Sequence, residues 1–221
     1  MPRSFQVLGL LVISLIVLSA RADSQTAPQA VVTFTLDFPN SQPEHYSIRV
    51  PSDGAAHYES SGRLSADSDQ TDNFDLDFPI TADTRQKIFS LAAKANYFQK
   101  DLDSHHKLAF TGKKTLAYKD GQHSGESTYN YSTNPAVQEL TTLMQSLSTT
   151  LEFGHRLHYD LRYQKLALDE ELKNLQDLAR NNQLVDVTAI QPILDQIIND
   201  QSVINVTRAR AQSILAMAGA H

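Results

Sequence analysis

Between residues 31 and 133 apolar and polar residues mostly alternate, which is the pattern of strands with one buried face. Val32, Phe34, Leu36 and Phe38 form the first such run, and Pro39-Asn40-Ser41 ends it. Tyr46, Ile48 and Val50 resume the alternation. Asp53-Gly54 then marks a tight turn into a third strand over residues 56–60. Phe74, Leu76, Phe78 and Ile80 make a fourth run. Thr81 stands where a helix N-cap belongs, and Ile88, Leu91, Ala92 and Ala95 repeat at helical spacing within residues 82–98. Leu116 and Tyr118 before Asp120-Gly121, with Tyr129 and Tyr131 after it, predict a last hairpin. The fold class is therefore α+β, an antiparallel sheet with one covering helix.

The period changes at Asn134-Pro135, where Asn suits an N-cap and Pro suits the first helical position. Positions 140, 147, 154, 161, 168 and 175 lie seven apart and are Leu, Leu, Gly, Leu, Leu and Leu. That register predicts one long helix over 135–182, roughly 70 Å at ~1.5 Å per residue. Gln164 and Glu171 interrupt the intervening seam, which argues against a regular coiled-coil dimer. Val187, Ile190, Leu194 and Ile197 predict a helix over 187–199, with Pro192 near its start. Val203, Val206, Arg210 and Met217, with Ile214 and Leu215 beside them, predict another over 202–218, capped by Ser202. This C-terminal helical hairpin is expected to cover Leu161, Leu168, Leu172 and Leu175. Apolar surface for assembly would remain near Leu151 and Leu157, on an elongated monomer or weak dimer.

The first residues change the compartment. Arg3 precedes an uncharged, mostly apolar run from residue 5 to 18, and Ala20-Arg21-Ala22 supplies a small-x-small cleavage pattern. That run is shorter than the ~20 residues a membrane span needs. The organisation read from the sequence is a signal peptide over 1–22 and a polar linker over 23–30. A sheet domain over 31–133 and a helical region over 134–221 follow. The expected location is periplasmic or secreted, with no transmembrane segment after cleavage. The chain contains no cysteine, so disulfides, thiolate zinc sites and cysteine nucleophiles are excluded. Loss of Arg3 and Arg21 leaves 17 basic against 25 acidic side chains, a net charge of −8. Such a chain is a poor match to polyanions, and no nucleic-acid partner is expected.

Three clusters carry candidate chemistry. Glu152, His155 and His158 give Glu-x-x-His with a second histidine one turn on, a spacing that can place metal ligands on one helix face. Di-iron bundles need two such motifs, and only one is present; Tyr159 is an alternative third member. Asp67, Asp69, Asp72, Asp75 and Asp77 crowd five carboxylates into residues 67–77. They lack the EF-hand spacing for calcium, and Asp75 and Asp77 alternate with apolar residues as solvent-facing strand positions do. Gly121-Gln122-His123-Ser124-Gly125 holds a serine, a histidine and two glycines, but the serine is one place late for a nucleophile elbow and the segment joins two strands. His105-His106 falls in an expected loop, and Asn130-Tyr131-Ser132 and Asn205-Val206-Thr207 match the glycosylation sequon. No phosphate-binding loop occurs, and no cofactor is expected.

The run from 46 to 147 carries Tyr-Ser-Ile-Arg-Val, the Asp53-Gly54 turn, a helix ending in Asn-Tyr-Phe, a Lys-Asp-Gly hairpin at 119–121 and a Leu-rich helix. In these features it resembles a broad group of uncharacterised exported bacterial domains. Over its whole length the chain is similar to hypothetical secreted proteins of acidobacterial soil organisms. Members often carry a Cys-Pro element in the first hairpin, which is missing here. The resemblance implies export and a fold of this kind, and no reaction.

The sequence thus points to a non-enzymatic binding module for a protein or cell-envelope partner. The alternative is a metal-dependent or hydrolytic enzyme using Glu152, His155 and His158.

Overall fold

A computed structural model describes residues 29–63 and 71–219. The expected signal peptide, most of the linker, and Asp67 and Asp69 lie outside the described residues. Six strands form one antiparallel sheet: β1 (Val31–Asp37), β2 (His45–Pro51), β3 (Ala55–Arg63), β4 (Thr71–Pro79), β5 (Lys113–Lys119) and β6 (Ser124–Tyr129). Their spatial order is β4-β3-β2-β1-β5-β6. Phe34 pairs with Ile48 on one side and Leu116 on the other, and Tyr58 continues the row beyond Ile48. All four are fully buried, so the period-two pattern has turned one sheet face into the core. The opposite face is polar, with Thr33, Ser47, Thr115 and Thr128 along the same strands. Gly54, at φ +91°, supplies the left-handed conformation that the turn into β3 requires.

Helix α1 (Ala82–Lys94) covers the buried face with Ile88, Leu91 and Ala92, and the Thr81 side chain caps it by accepting from the Thr84 N–H. The predicted continuation to residue 98 is corrected. Asn96, Tyr97 and Phe98 all have positive φ, and this left-handed turn drops the Phe98 ring into the core. The Tyr131 strand assignment is also corrected, because β6 ends at Tyr129 and Tyr131 is exposed.

Helix α2 (Pro135–Tyr163) begins as the sequence predicts, with the Asn134 side chain accepting from the Ala136 and Val137 N–H groups. Leu140, Met144, Leu147 and Leu151 are fully buried. The predicted helix over 135–182 does not persist beyond Tyr163. The chain turns at 164–167 and restarts as α3 (Leu168–Arg180). Two contacts show that α3 runs back along α2: Arg156 is bonded to Glu171, and the Val185 N–H donates to Thr150 Oγ1 at 3.2 Å. A straight helix would separate residues 156 and 171 by about 22 Å. The physical reason is burial. Leu168, Leu172 and Leu175 would project into solvent on a rod, and reversal buries all three completely.

A 3-10 turn (Val187–Ile190) leads into α4 (Gln191–Asn199), which carries Pro192 in its first turn, and α5 (Asn205–Ala218) packs on α3 and α4. Helix α5 starts later than predicted, and its N-cap is Ile204 without a side-chain bond; Ser202 instead bonds Asp200 and Lys165. Leu151 and Leu157, expected to stay exposed for assembly, are both fully buried. Exposed apolar side chains lie elsewhere: Leu166, 97% exposed beside Tyr163 at the α2–α3 tip, Leu108 and Phe110 before β5, and Ile204 and Val206 at the start of α5. Buried residues of the sheet and all five helices form one continuous core. No helix among the described residues is long and apolar enough to cross a membrane.

Candidate functional site

Alternation on β3 places Tyr58 and Ser60 on the buried face beneath α2, and Ser60 breaks the apolar run there. Tyr58, fully buried, donates to Glu152 Oε1 at 2.6 Å and lies 2.9 Å from Ser148 Oγ. Ser60 Oγ donates to the same Glu152 oxygen at 2.7 Å. Ser148 and Glu152 are one turn apart on α2, so a single helix face presents both to the sheet. Burial first and the Glu152 charge second push the Tyr58 hydroxyl far above its ordinary pKa, which keeps it a donor.

One turn beyond Glu152, the His155 ring stacks on Phe74 of β4 with centroids 4.3 Å apart. Its Nε2 lies 3.1 Å from each carboxylate oxygen of Asp72. Across the groove, Arg156 pairs with Glu171 of α3 and lies over the Phe153 ring at 4.4 Å. Burial holds the Asp160 carboxyl above the usual carboxylate range, the Glu171 charge pushes the same way, and Arg156 opposes them. Ser60, Asp72, Glu152, His155, Asp160 and Glu171 thus share a cleft of about 430 Å³ between the sheet edge and the α2–α3 hairpin. The size lies within the ~300–1,000 Å³ of small-ligand sites.

Glu152 and His155 are brought together in this cleft, and His158 is not. His158 is exposed and has no hydrogen-bond partner among the described residues. Tyr159, the other predicted third member, does line the cleft. Among the described residues no group of three His, Asp or Glu side chains is arranged to hold a metal ion. The acidic run divides. Asp72 turns inward to His155, whereas Asp75 and Asp77 face solvent and pair with His57 at 3.3 and 2.8 Å. Sequence reasoning missed Tyr58 and Ser60 as the holders of Glu152; the polar Ser60 at a core-facing strand position was the available signal.

The 121–125 segment lies in a hairpin: residues 120–123 make the turn, and Ser124 and Gly125 begin β6. Asp120 accepts from the Gln122 and His123 N–H groups, and these bonds hold its carboxyl far below the usual range. The Tyr118 hydroxyl, bonded to Asp120 at 2.8 Å, is pushed up to about 12, chiefly by burial. His123 stacks on Tyr97 at 4.1 Å and makes no bond to Ser124. His105 lies in an exposed loop with Nε2 2.7 Å from Asp101, and Asn130 Nδ2 donates to the Ala109 carbonyl.

No family model matches the chain, and no curated protein matches it.

Proposed function

We propose that the protein is an exported, non-enzymatic binding module that holds a basic group of a protein or cell-envelope partner in the cleft beside Glu152. The single observation behind this reading is the fixed carboxylate of Glu152. Two neutral hydroxyls, from Tyr58 and Ser60, hold one of its oxygens, and no cation among the described side chains pairs with it. These donors immobilise the carboxylate, and its second oxygen accepts no hydrogen bond among the described residues. An incoming guanidinium or ammonium would form a charge-assisted bond there without any rearrangement of the carboxylate. Asp72, Asp160 and Glu171 add negative charge around it, against Arg156. Hydrolytic or metal chemistry is supported less, because His158 lies away from the other two residues of its motif. Export rests on Arg3, the apolar run and Ala20-Arg21-Ala22.

Titration of the isotope-labelled protein with an arginine-rich peptide, read as backbone and side-chain shifts, tests the cleft. Shifts at Ser60, Glu152 and His155 that vanish in Glu152→Gln are expected. Stoichiometric metal that is lost in His155→Ala would replace this reading with the enzyme one. Intact-mass analysis of exported material should find a chain beginning at Asp23, and a full-length chain retained in the membrane would overturn the export reading.

A further inference from the structure

Strand β5 breaks its own pattern at one place. Lys114, Leu116 and Tyr118 share the core-facing side, and Lys114 is only 5% exposed. Its backbone partners are Leu36 on β1 and Tyr129 on β6, both buried. A lysine is almost never buried without a carboxylate partner. Here Nζ is held by neutral oxygens alone: the carbonyls of Thr111, Gly112 and Asn130 at 3.0, 3.2 and 3.0 Å, and Thr111 Oγ1 at 3.0 Å. No described carboxylate lies within ion-pair distance of it. The ammonium is therefore hydrogen-bonded but not neutralised, and burial lowers its pKa.

The ammonium borders a cleft of about 440 Å³ between β5, β6 and the first turns of α2. The other lining side chains are all uncharged, bearing hydroxyls or amides. Tyr129 and Thr141 bond each other at 2.6 Å and so satisfy part of the wall. Gln138 Nε2 donates to the Tyr131 hydroxyl at 2.7 Å, which leaves Gln138 Oε1 and the Tyr131 proton for a ligand. The Gln145 side-chain amide makes no hydrogen bond among the described residues. Tyr131, 41% exposed at the rim, offers an aromatic face. The positive end of the α2 dipole adds to the field of the lysine.

We propose that this cleft binds a hydroxylated small molecule carrying one oxyanion, an acidic sugar in class, with Lys114 facing the anion and Tyr131, Gln138 and Gln145 meeting the hydroxylated ring. The site is separate from the Glu152 cleft and does not depend on the reading given to it. The neutral oxygen cage explains how the lysine is tolerated and takes up all three N–H donors of Nζ, so Lys114 selects an anion through its unneutralised charge and not through a hydrogen bond. A carboxylate and a phosphate both satisfy that chemistry.

Calorimetric titration of the protein at fixed ionic strength with glucuronate, glucose 6-phosphate, glucose and inorganic phosphate tests the proposal. At least one sugar anion should bind ten-fold or more tightly than glucose and than phosphate. Preference for glucuronate identifies a carboxylate ligand, and preference for glucose 6-phosphate a phosphate ligand. Lys114→Met should abolish the preference. Tyr131→Ala and Gln138→Ala, at the rim and away from the core, should each weaken binding several-fold with an unchanged melting temperature, whether or not Lys114→Met folds. Absence of binding by both sugar anions, equal binding of glucose, equal binding of phosphate alone, or rim variants that bind like the wild type would overturn it.

Discussion

Gly154 of α2 and Ile190 of the turn before α4 touch so closely that a methyl group on Gly154 would overlap Ile190 Cγ2. The glycine is buried inside a helix that continues unbroken through it, and it serves close approach. Gly154→Ala gains about 1 kcal/mol of helix preference. Overpacking of a filled core costs about 1–3 kcal/mol, so the variant should be less stable by up to about 2 kcal/mol. In an Ile190→Ala background the overlap is gone, so the same change should stabilise by about 1 kcal/mol. Denaturant unfolding of the four-protein cycle measures this, and additive effects would show that the contact is not the cause.

Asp186 should be the fastening between the C-terminal helices and α1. It accepts from the Thr81 N–H at 3.1 Å, from the Thr81 hydroxyl, and from Thr84 Oγ1 at 2.9 Å, beside the positive end of α1. Its φ of 52° lies in the left-handed region, which Asp and Asn tolerate better than Ala. Asp186→Ala should therefore cost about 3 kcal/mol in equilibrium unfolding, from charged hydrogen bonds lost and strain added. Asp186→Asn keeps the backbone preference and should cost clearly less. Equal losses would mean that the conformation plays no part.

These two residues also mark the limits of the sequence reading. The strands, the Asp53-Gly54 turn, the Thr81 and Asn134 caps and the start of α2 were legible because each is a local signal. Gly154 offered only two local readings, a kink or a tolerated glycine, because its partner Ile190 is 36 positions away. The stop at Tyr163 carried no glycine or proline, so tertiary burial of Leu168, Leu172 and Leu175 overrode a continuous helical pattern. The candidate site was half legible. Helical spacing found Glu152 and His155, whereas Tyr58 and Ser60 join them only because α2 packs on β3, and Asp72 only because β4 pairs with β3.

Asp160 should be a liability to the fold at neutral pH. Burial, reinforced by Glu171, raises its pKa in the folded chain above the unfolded value of 3.8. A group with a raised folded pKa favours the folded state when protonated, and that contribution is lost as pH rises through the folded pKa. Asp160→Asn mimics the protonated form, so it should raise the melting temperature at pH 7. The gain should shrink as pH is lowered through the raised folded value and be gone below 3.8. A gain that is independent of pH would place the effect in packing and not in charge.

The reversal between α2 and α3 makes a prediction that separates a hairpin from a rod. Thr149 and Asn181 would be about 48 Å apart on one continuous helix, at 1.5 Å per residue. In the hairpin they lie close together, because Val185 reaches back to Thr150. The chain has no cysteine, so spin labels attached at Thr149→Cys and Asn181→Cys report only this pair. The measured separation should be well under half the rod value. Lys165 ties the tip of the hairpin to the α4–α5 loop through Asp200 at 2.7 Å and through Ser202. That pair is partly exposed, and Lys165→Ala should cost no more than about 1 kcal/mol. The label distance should accordingly stay short in Lys165→Ala, because burial of Leu168, Leu172 and Leu175 holds the turn closed. A distance that lengthens toward 48 Å on loss of Lys165 would give the ion pair the role assigned here to the leucines.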